Sequence, residues 1–536
     1  MFSKIFSRVL DTYSKPAAIA QGGGGFVKIN MVISKPAFWY EKLRSAIDYR
    51  EDHLLKKAAI FRHLKRLLFW ERRHENVAEH LVEEMMRSRY VPNESITKST
   101  VEEIDAIINK YLWLIFKVKE QNFKKLPRKW VDELLEICAV EIEKKLATNL
   151  RDEALFRAMF SSMCNRIEMV DSALSEREKE MQIFIASQKA LIKADVSTLY
   201  FHLFALLYPD WSKSTDMELI EFIAHDYERV IKQFALAIDH PWQARLAKTT
   251  RRAATVFTIL RDVLNGLSDN KNGGASTVAD IVSDPAALAA ETKKAIANRY
   301  KKIRGRLSRA AVRSIIYVFV TKMTLAFLLE LPIDYYFGLG LNYYAIATNI
   351  LFPPALMFLI ALLIKMPPKE NIDKIVSESN SIVYQKERKV DIMLQIQKKR
   401  PWIVSGIYNL LYVAFFGGVL YLLVRGLLWL HFGPLSIVLC VFFLALVSFF
   451  GLRIRRPVRE LFVVDKKENV LLLLMDFLFT PFIYMGNWLS IKFSQINIFA
   501  IFLDFLIESP FKLLVATTED LTDFVREKKD TLDRNL

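Results

Sequence analysis

An all-α protein is predicted, in which a cytoplasmic multi-helix domain precedes a polytopic bundle of four to six transmembrane helices. Three observations predict it. Nearly all long uncharged runs lie after residue 313. Before that point, apolar residues recur at helical spacing. Strand-like alternation is scarce throughout.

Residues 1–34 read as an amphipathic N-terminal segment and a glycine-rich hinge. Phe2, Ile5, Phe6, Val9, Leu10 and Tyr13 fall near one face of a helix. That face docks either on the protein's own core or on a membrane surface, with Lys4 and Arg8 at the headgroups. Gly22 to Gly25 supply the hinge. The start lacks the uninterrupted apolar run of a secretory signal.

Residues 35–268 read as a cytoplasmic all-helical domain. From Val101 to Val118, the residues Ile104, Ile107, Ile108, Leu112, Ile115 and Phe116 share a stripe. Ala154 to Met169 and Leu219 to Ile238 repeat the pattern. Proline stands where helices should stop, as at Pro92, Pro127, Pro209 and Pro241. Leu199 to Tyr208 is very apolar, but shorter than the roughly 20 residues that cross a bilayer, so a buried helix is expected.

Residues 269–313 form a linker and a basic juxtamembrane helix. Lys293, Lys294, Arg299, Lys301, Lys302, Arg304, Arg306, Arg309 and Arg313 run with no acid among them. A clamp on anionic lipid headgroups is the expectation, at about 1 kcal/mol per cation near the surface.

Residues 314–364 hold transmembrane helices 1 and 2. Residues 365–401 are a charged cytoplasmic linker, and residues 402–452 hold helices 3 and 4. Residues 453–516 are a basic loop and two further transmembrane or interfacial helices. Residues 517–536 are a charged tail. Cations alternate between loops, nine before the first segment, none from Pro332 to Asn342, and nine from Lys365 to Arg400. This places both termini in the cytoplasm, and a plasma (cell inner) membrane is expected. Pro353 and Pro354 should kink the second segment. Gly417 and Gly418 permit close helix approach in the third.

The composition narrows the function classes. A net charge of +16 suggests nucleic acid in a soluble protein, but here the cations flank apolar segments. Nucleic acid is therefore an unexpected partner, whereas an anionic bilayer and a protein partner of the helical domain are expected. The oligomeric state is open. Cys138, Cys164 and Cys440 form no pair at metal-binding spacing. His74 and His80 are six apart, not the four that would place both on one metal. No P-loop or nucleophile elbow occurs. Catalysis, a cofactor and a resident metal are accordingly not expected.

The candidate functional site is intramembrane and polar. Lys322 sits about eight residues inside the first segment. Either the helix begins later and the side chain reaches the interface, or it pairs with a buried acid. Glu330, Asp476, Asp504 and Glu508 are the acids available, and Asn349 lies in the second segment. Asp504, Glu508 and Lys512 share one face of the sixth segment, while Asp476, Thr480, Tyr484 and Asn487 make a stripe on the fifth. The leading expectation is a non-enzymatic scaffold or partner-binding protein. The alternative is a channel or secondary transporter using Lys322 and these stripes.

Overall fold

The computed structural model describes residues 3–14, 26–27, 52–71, 75–121, 127–146, 150–170, 174–211, 217–268, 275–336, 343–384, 390–395, 401–464 and 470–495. These residues are mostly helical. The chain divides into two units. One is built from residues 7–250, the other from residues 1–6 and 251–497.

The first unit has a continuous apolar core. Ile104, Ile107 and Ile108 of helix Lys98–Gln121 are buried as the stripe predicts, but the second half of the stripe turns away from the core: Leu112 and Ile115 are only partly buried and Phe116 is exposed, while Tyr111, Leu114 and Val118 are buried. They pack with Leu134, Ile137 and Cys138 of helix Arg128–Leu146 and with the aromatic side of helix Val196–Leu207. That last helix is the apolar run expected to be buried, and Leu199, Phe201, Leu203 and Phe204 are indeed in the core. Asp195 caps its start by accepting from Thr198 N at 3.1 Å.

Two helix boundaries differ from expectation. The helix from Leu150 stops at Arg166, and Ile167–Met169 is a three-residue strand. Its β-branched start and alternating burial suit a strand. Leu219 to Ile238 is two helices, Met217–His225 and Tyr227–Ile238. Asp226 between them has φ −105° and ψ 15°, outside the α-helical well, so the helix is interrupted there. Phe6, Val9, Leu10 and Tyr13 of helix Lys4–Ser14 are buried, so this amphipathic face is covered by protein.

The second unit is organised by helix Pro285–Leu325, the long helix. Its 41 residues carry the basic stretch and the first apolar segment as one uninterrupted rod. Asp284 caps it and Pro285 begins it. A wide π-type turn, Ala326–Glu330, and a short helix, Leu331–Tyr336, follow. Helix Tyr343–Leu363 runs through Pro353 and Pro354 as a single element. Among the described residues three helices are long and apolar enough to cross a membrane, within Pro285–Ile333, Trp402–Trp429 and Pro434–Arg459. Val470–Gln495 is a further apolar helix. The sixth segment, with Asp504, Glu508 and Lys512, lies outside the described residues.

Close packing occurs at other glycines than expected. A Cβ added at Gly451 would stand 2.8 Å from Ile360, and one at Gly486 would stand 2.6 Å from Phe449. Both glycines thus let helix Pro434–Arg459 approach a neighbour closely. Nothing described lies within 4 Å of such an atom at Gly417 or Gly418. The reason is that helix Trp402–Trp429 is exposed along nearly its whole length.

The charged linker contains helix Lys369–Tyr384. Its Asn371 is buried and uses both ends of its amide. Nδ2 donates to Tyr300 Oη and to the Leu461 carbonyl, each at 2.9 Å. Oδ1 accepts from Val463 N and Val464 N at 2.8 and 3.1 Å. One side chain therefore joins the linker helix, the long helix and the segment after helix Pro434–Arg459. Ser3 docks on the same linker helix, through Oγ to the Ile382 carbonyl at 2.8 Å.

Candidate functional site: a buried polar cluster on three helices

Lys322 and Glu330 are eight residues apart. On a regular α-helix that spacing leaves side chains about 80° apart around the axis. The π-type turn inserts one residue between them. The pair then behaves as i and i+7, about 20° apart, and faces one way. Lys322 Nζ donates to Glu330 Oε1, and both side chains are at most 1% exposed.

Two further helices complete the cluster. Glu330 Oε2 accepts from Asn349 Nδ2 at 2.8 Å and from Ser436 Oγ at 3.2 Å. The Phe443 ring centre stands 5.3 Å from Lys322 Nζ. A carboxylate with three donors, one of them cationic, is well stabilised in apolar surroundings. The ammonium is less completely matched, with one carboxylate and one aromatic face. Asn349 Oδ1 is buried without a partner.

The structure thus brings together Lys322, Glu330 and Asn349 of the six expected residues, and adds Ser436 and Phe443. The helix does not begin at Met323, and the Lys322 head does not reach the surface of the protein. Asp476 is placed by its backbone on helix Val470–Gln495. Tyr484 and Asn487 of the same stripe are exposed, because the helix turns Pro481, Phe482 and Gly486 inward. Tyr484 and Asn487 therefore stand apart from the cluster. Asp504 and Glu508 lie outside the described residues.

The basic stretch divides by partner. Arg299 pairs with Asp262, and Lys294 with Glu291 at 3.3 Å. Lys293 lines a cavity of about 500 Å³ with Asp373, Ser377, Asn380 and Tyr384. Lys301, Lys302, Arg304, Arg306, Arg309 and Arg313 are exposed.

A second buried cluster, in the first unit, was not expected. Lys110 Nζ donates to Glu141 Oε1 at 2.6 Å and to the Trp211 carbonyl at 3.0 Å. Tyr111 Oη donates to Glu141 Oε2 at 2.8 Å, and Trp211 Nε1 donates to Tyr111 Oη at 3.2 Å. The Trp211 ring covers Nζ at 4.6 Å. Burial, and then the Glu141 charge, push the Tyr111 hydroxyl well above its usual range. A clue stood in the sequence: Lys110 and Glu141 interrupt otherwise apolar helix faces. Among the described residues no group of three or more His, Cys, Asp or Glu could hold a metal, and His80 pairs with Glu83 at 3.7 Å.

No family model, curated protein or solved structure matches the chain.

Proposed function

We propose that this chain is an integral membrane protein of the plasma (cell inner) membrane, with no catalytic activity, whose helical unit outside the spans binds a protein partner. The observation that carries the reading is a set of large apolar side chains which that unit leaves exposed. Leu236, Phe222 and Phe116 are 72%, 60% and 53% exposed. Phe222 lies against Tyr208, with ring centres 6.4 Å apart. Large exposed aromatics on a compact helical unit are what protein partners bury.

Charge and spacing support the membrane part. Glu330 is 17 residues beyond Arg313, and Ser436 is 17 residues before Arg453. At 1.5 Å per residue each interval is about 25 Å, against a hydrocarbon core of about 30 Å. Two helices so set the carboxylate near one bilayer face when their arginines mark the other. Both termini then lie on the arginine side, the cytoplasm.

The test places a photo-crosslinking amino acid at Phe222, or at exposed Arg177, in the full chain in native membranes. A discrete adduct from Phe222 alone is expected. Identical products from both positions would remove the partner-binding reading.

A second reading, a channel or secondary transporter, draws on the buried Lys322–Glu330 pair and the unpartnered Asn349 carbonyl. It requires ion or proton flux in proteoliposomes that Lys322→Leu abolishes. Flux equal to that of empty liposomes, with folded protein, would exclude it.

A further inference from the structure

Four of the six exposed cations from Lys301 to Arg313 fall on one line of the long helix. Lys302, Arg306, Arg309 and Arg313 are spaced i, i+4, i+7 and i+11. At about 100° per residue they fall within an arc of roughly 60° and make a straight ridge. Each is exposed. Arg299 and Lys294, by contrast, are held by acids of the same unit.

The ridge continues into an apolar stripe. Ile316, Tyr317 and Val320 are 57%, 61% and 54% exposed and lie within about 60° of the same line. The opposite side of the helix carries Ala311, Val318 and Lys322, all buried. One face of a single rod is therefore apolar below Arg313 and cationic above it. The other face is committed to the protein.

This register chooses the occupant. If the stripe faces acyl chains, the ridge rises out of the bilayer directly above those chains. Arg309, Arg306 and Lys302 stand about 6, 10 and 16 Å beyond Arg313 along the axis. A sheet of single phosphates is screened over about 8 Å, so it engages chiefly Arg313 and Arg309. Arg306 and Lys302 need anionic charge that projects from the surface. We infer that the ridge Lys302–Arg306–Arg309–Arg313 recognises a lipid whose headgroup carries phosphate beyond the glycerol phosphate layer, bound with its tails along Ile316, Tyr317 and Val320. The inference rests on the membrane reading above. Arginine is suited to the role because its planar fork grips phosphate through two donors.

The test uses the purified full chain in detergent. It is titrated with fluorescent short-chain phosphatidylinositol 4,5-bisphosphate as the projecting-phosphate probe, and with phosphatidylglycerol as the single-phosphate comparator. One variant carries Lys302→Gln, Arg306→Gln, Arg309→Gln and Arg313→Gln. A control loses the same charge off the ridge, through Lys293→Gln, Lys294→Gln, Lys301→Gln and Arg304→Gln. Each cation near the surface is worth about fivefold, so four give a loss on the order of 10² to 10³. That loss is expected for the ridge variant and only a few-fold change for the control. Equal losses in both variants, or equal wild-type affinity for the two lipids, would overturn the inference. Alkaline carbonate extraction of native membranes separates the two claims. Release of the wild type would sink the membrane reading itself, whereas retention without lipid preference would sink the ridge alone.

Discussion

Each unit of this chain buries a lysine–glutamate pair under an aromatic ring, and the two pairs are finished differently. Around Lys110 and Glu141 the groups close on one another. The ammonium has a carboxylate and a carbonyl, and the carboxylate also has a tyrosine hydroxyl, itself held by an indole. Around Lys322 and Glu330 the carboxylate is saturated, but the ammonium is not, and the Asn349 carbonyl is left over. A closed network specifies one packing. The second leaves one buried amide oxygen unmatched. The same residue types thus serve as a fixed core in one unit and as the candidate site in the other.

The contrast can be broken from its strong side first. Glu141→Leu strands the Lys110 charge in the core of the first unit. A buried ion pair that loses one partner costs roughly 3–5 kcal/mol, and a drop in Tm on the order of 10 °C is expected. Lys110→Met added to it should restore part of the loss, but not all, since Tyr111 and the Trp211 carbonyl lose their partners too. Thermal unfolding of the full chain in detergent reports both. Full recovery in the double variant would mean the network is an isolated pair after all.

Lys322→Leu should cost less, about 2–4 kcal/mol, because Asn349 and Ser436 still donate to Glu330. Lys322→Leu/Glu330→Leu should recover only part of that loss, since Asn349 Nδ2 and Ser436 Oγ lose their acceptor. If Lys322→Leu is as damaging as Glu141→Leu, the two clusters do not differ in kind. Asn371→Ala removes four hydrogen bonds and leaves two backbone donors unmatched, for about 2–3 kcal/mol. Limited proteolysis should then cut near Leu461–Val464 first. An unchanged cleavage pattern would show that the tie is redundant.

The smallest effect concerns pH. Burial, and then the neighbouring Lys144 cation, push His202 in the first unit down to about 3. The unfolded chain, with an ordinary histidine near 6.5, takes up this proton earlier. Stability from this group is therefore complete above about pH 6.5 and declines as the pH falls toward 3. His202→Phe should flatten that part of the acid limb. An acid limb identical to the wild type would move the cause to the carboxylates. Asp195 is the first of these to examine. Burial disfavours its charge, yet the Lys57 ammonium and bonds from Lys57 and Thr198 hold it below its usual range.

Much of this architecture is legible in the sequence, for identifiable reasons. On helix Lys98–Gln121 periodicity picks out Ile104, Ile107 and Ile108, but it also puts Phe116 on the buried stripe, where the structure leaves that ring exposed. The candidate spans reveal themselves by length and absence of charge. Lys322 attracts notice because a lone lysine in an apolar run has few tolerable states, and Glu330 was among four acids that could meet it. What chose Glu330 is one inserted residue in the turn Ala326–Glu330. No side chain in Ala-Phe-Leu-Leu-Glu announces such a turn. Lys110 and Glu141 are 31 residues apart, and only the packing of two helices joins them. The break at Asp226 was hidden because the apolar spacing continues across it.

The uninterrupted course of helix Pro285–Leu325 has a mechanical consequence. Forty-one residues at 1.5 Å each make a rod of about 62 Å, twice the thickness of a bilayer's hydrocarbon. If Arg313 marks the interface, some 28 residues, about 42 Å, stand outside as a lever arm. A tilt of only 10° within the bilayer would swing its tip by roughly 7 Å, the diameter of a large side chain. Small changes in how the lipid-embedded end sits are therefore multiplied before they reach Pro285.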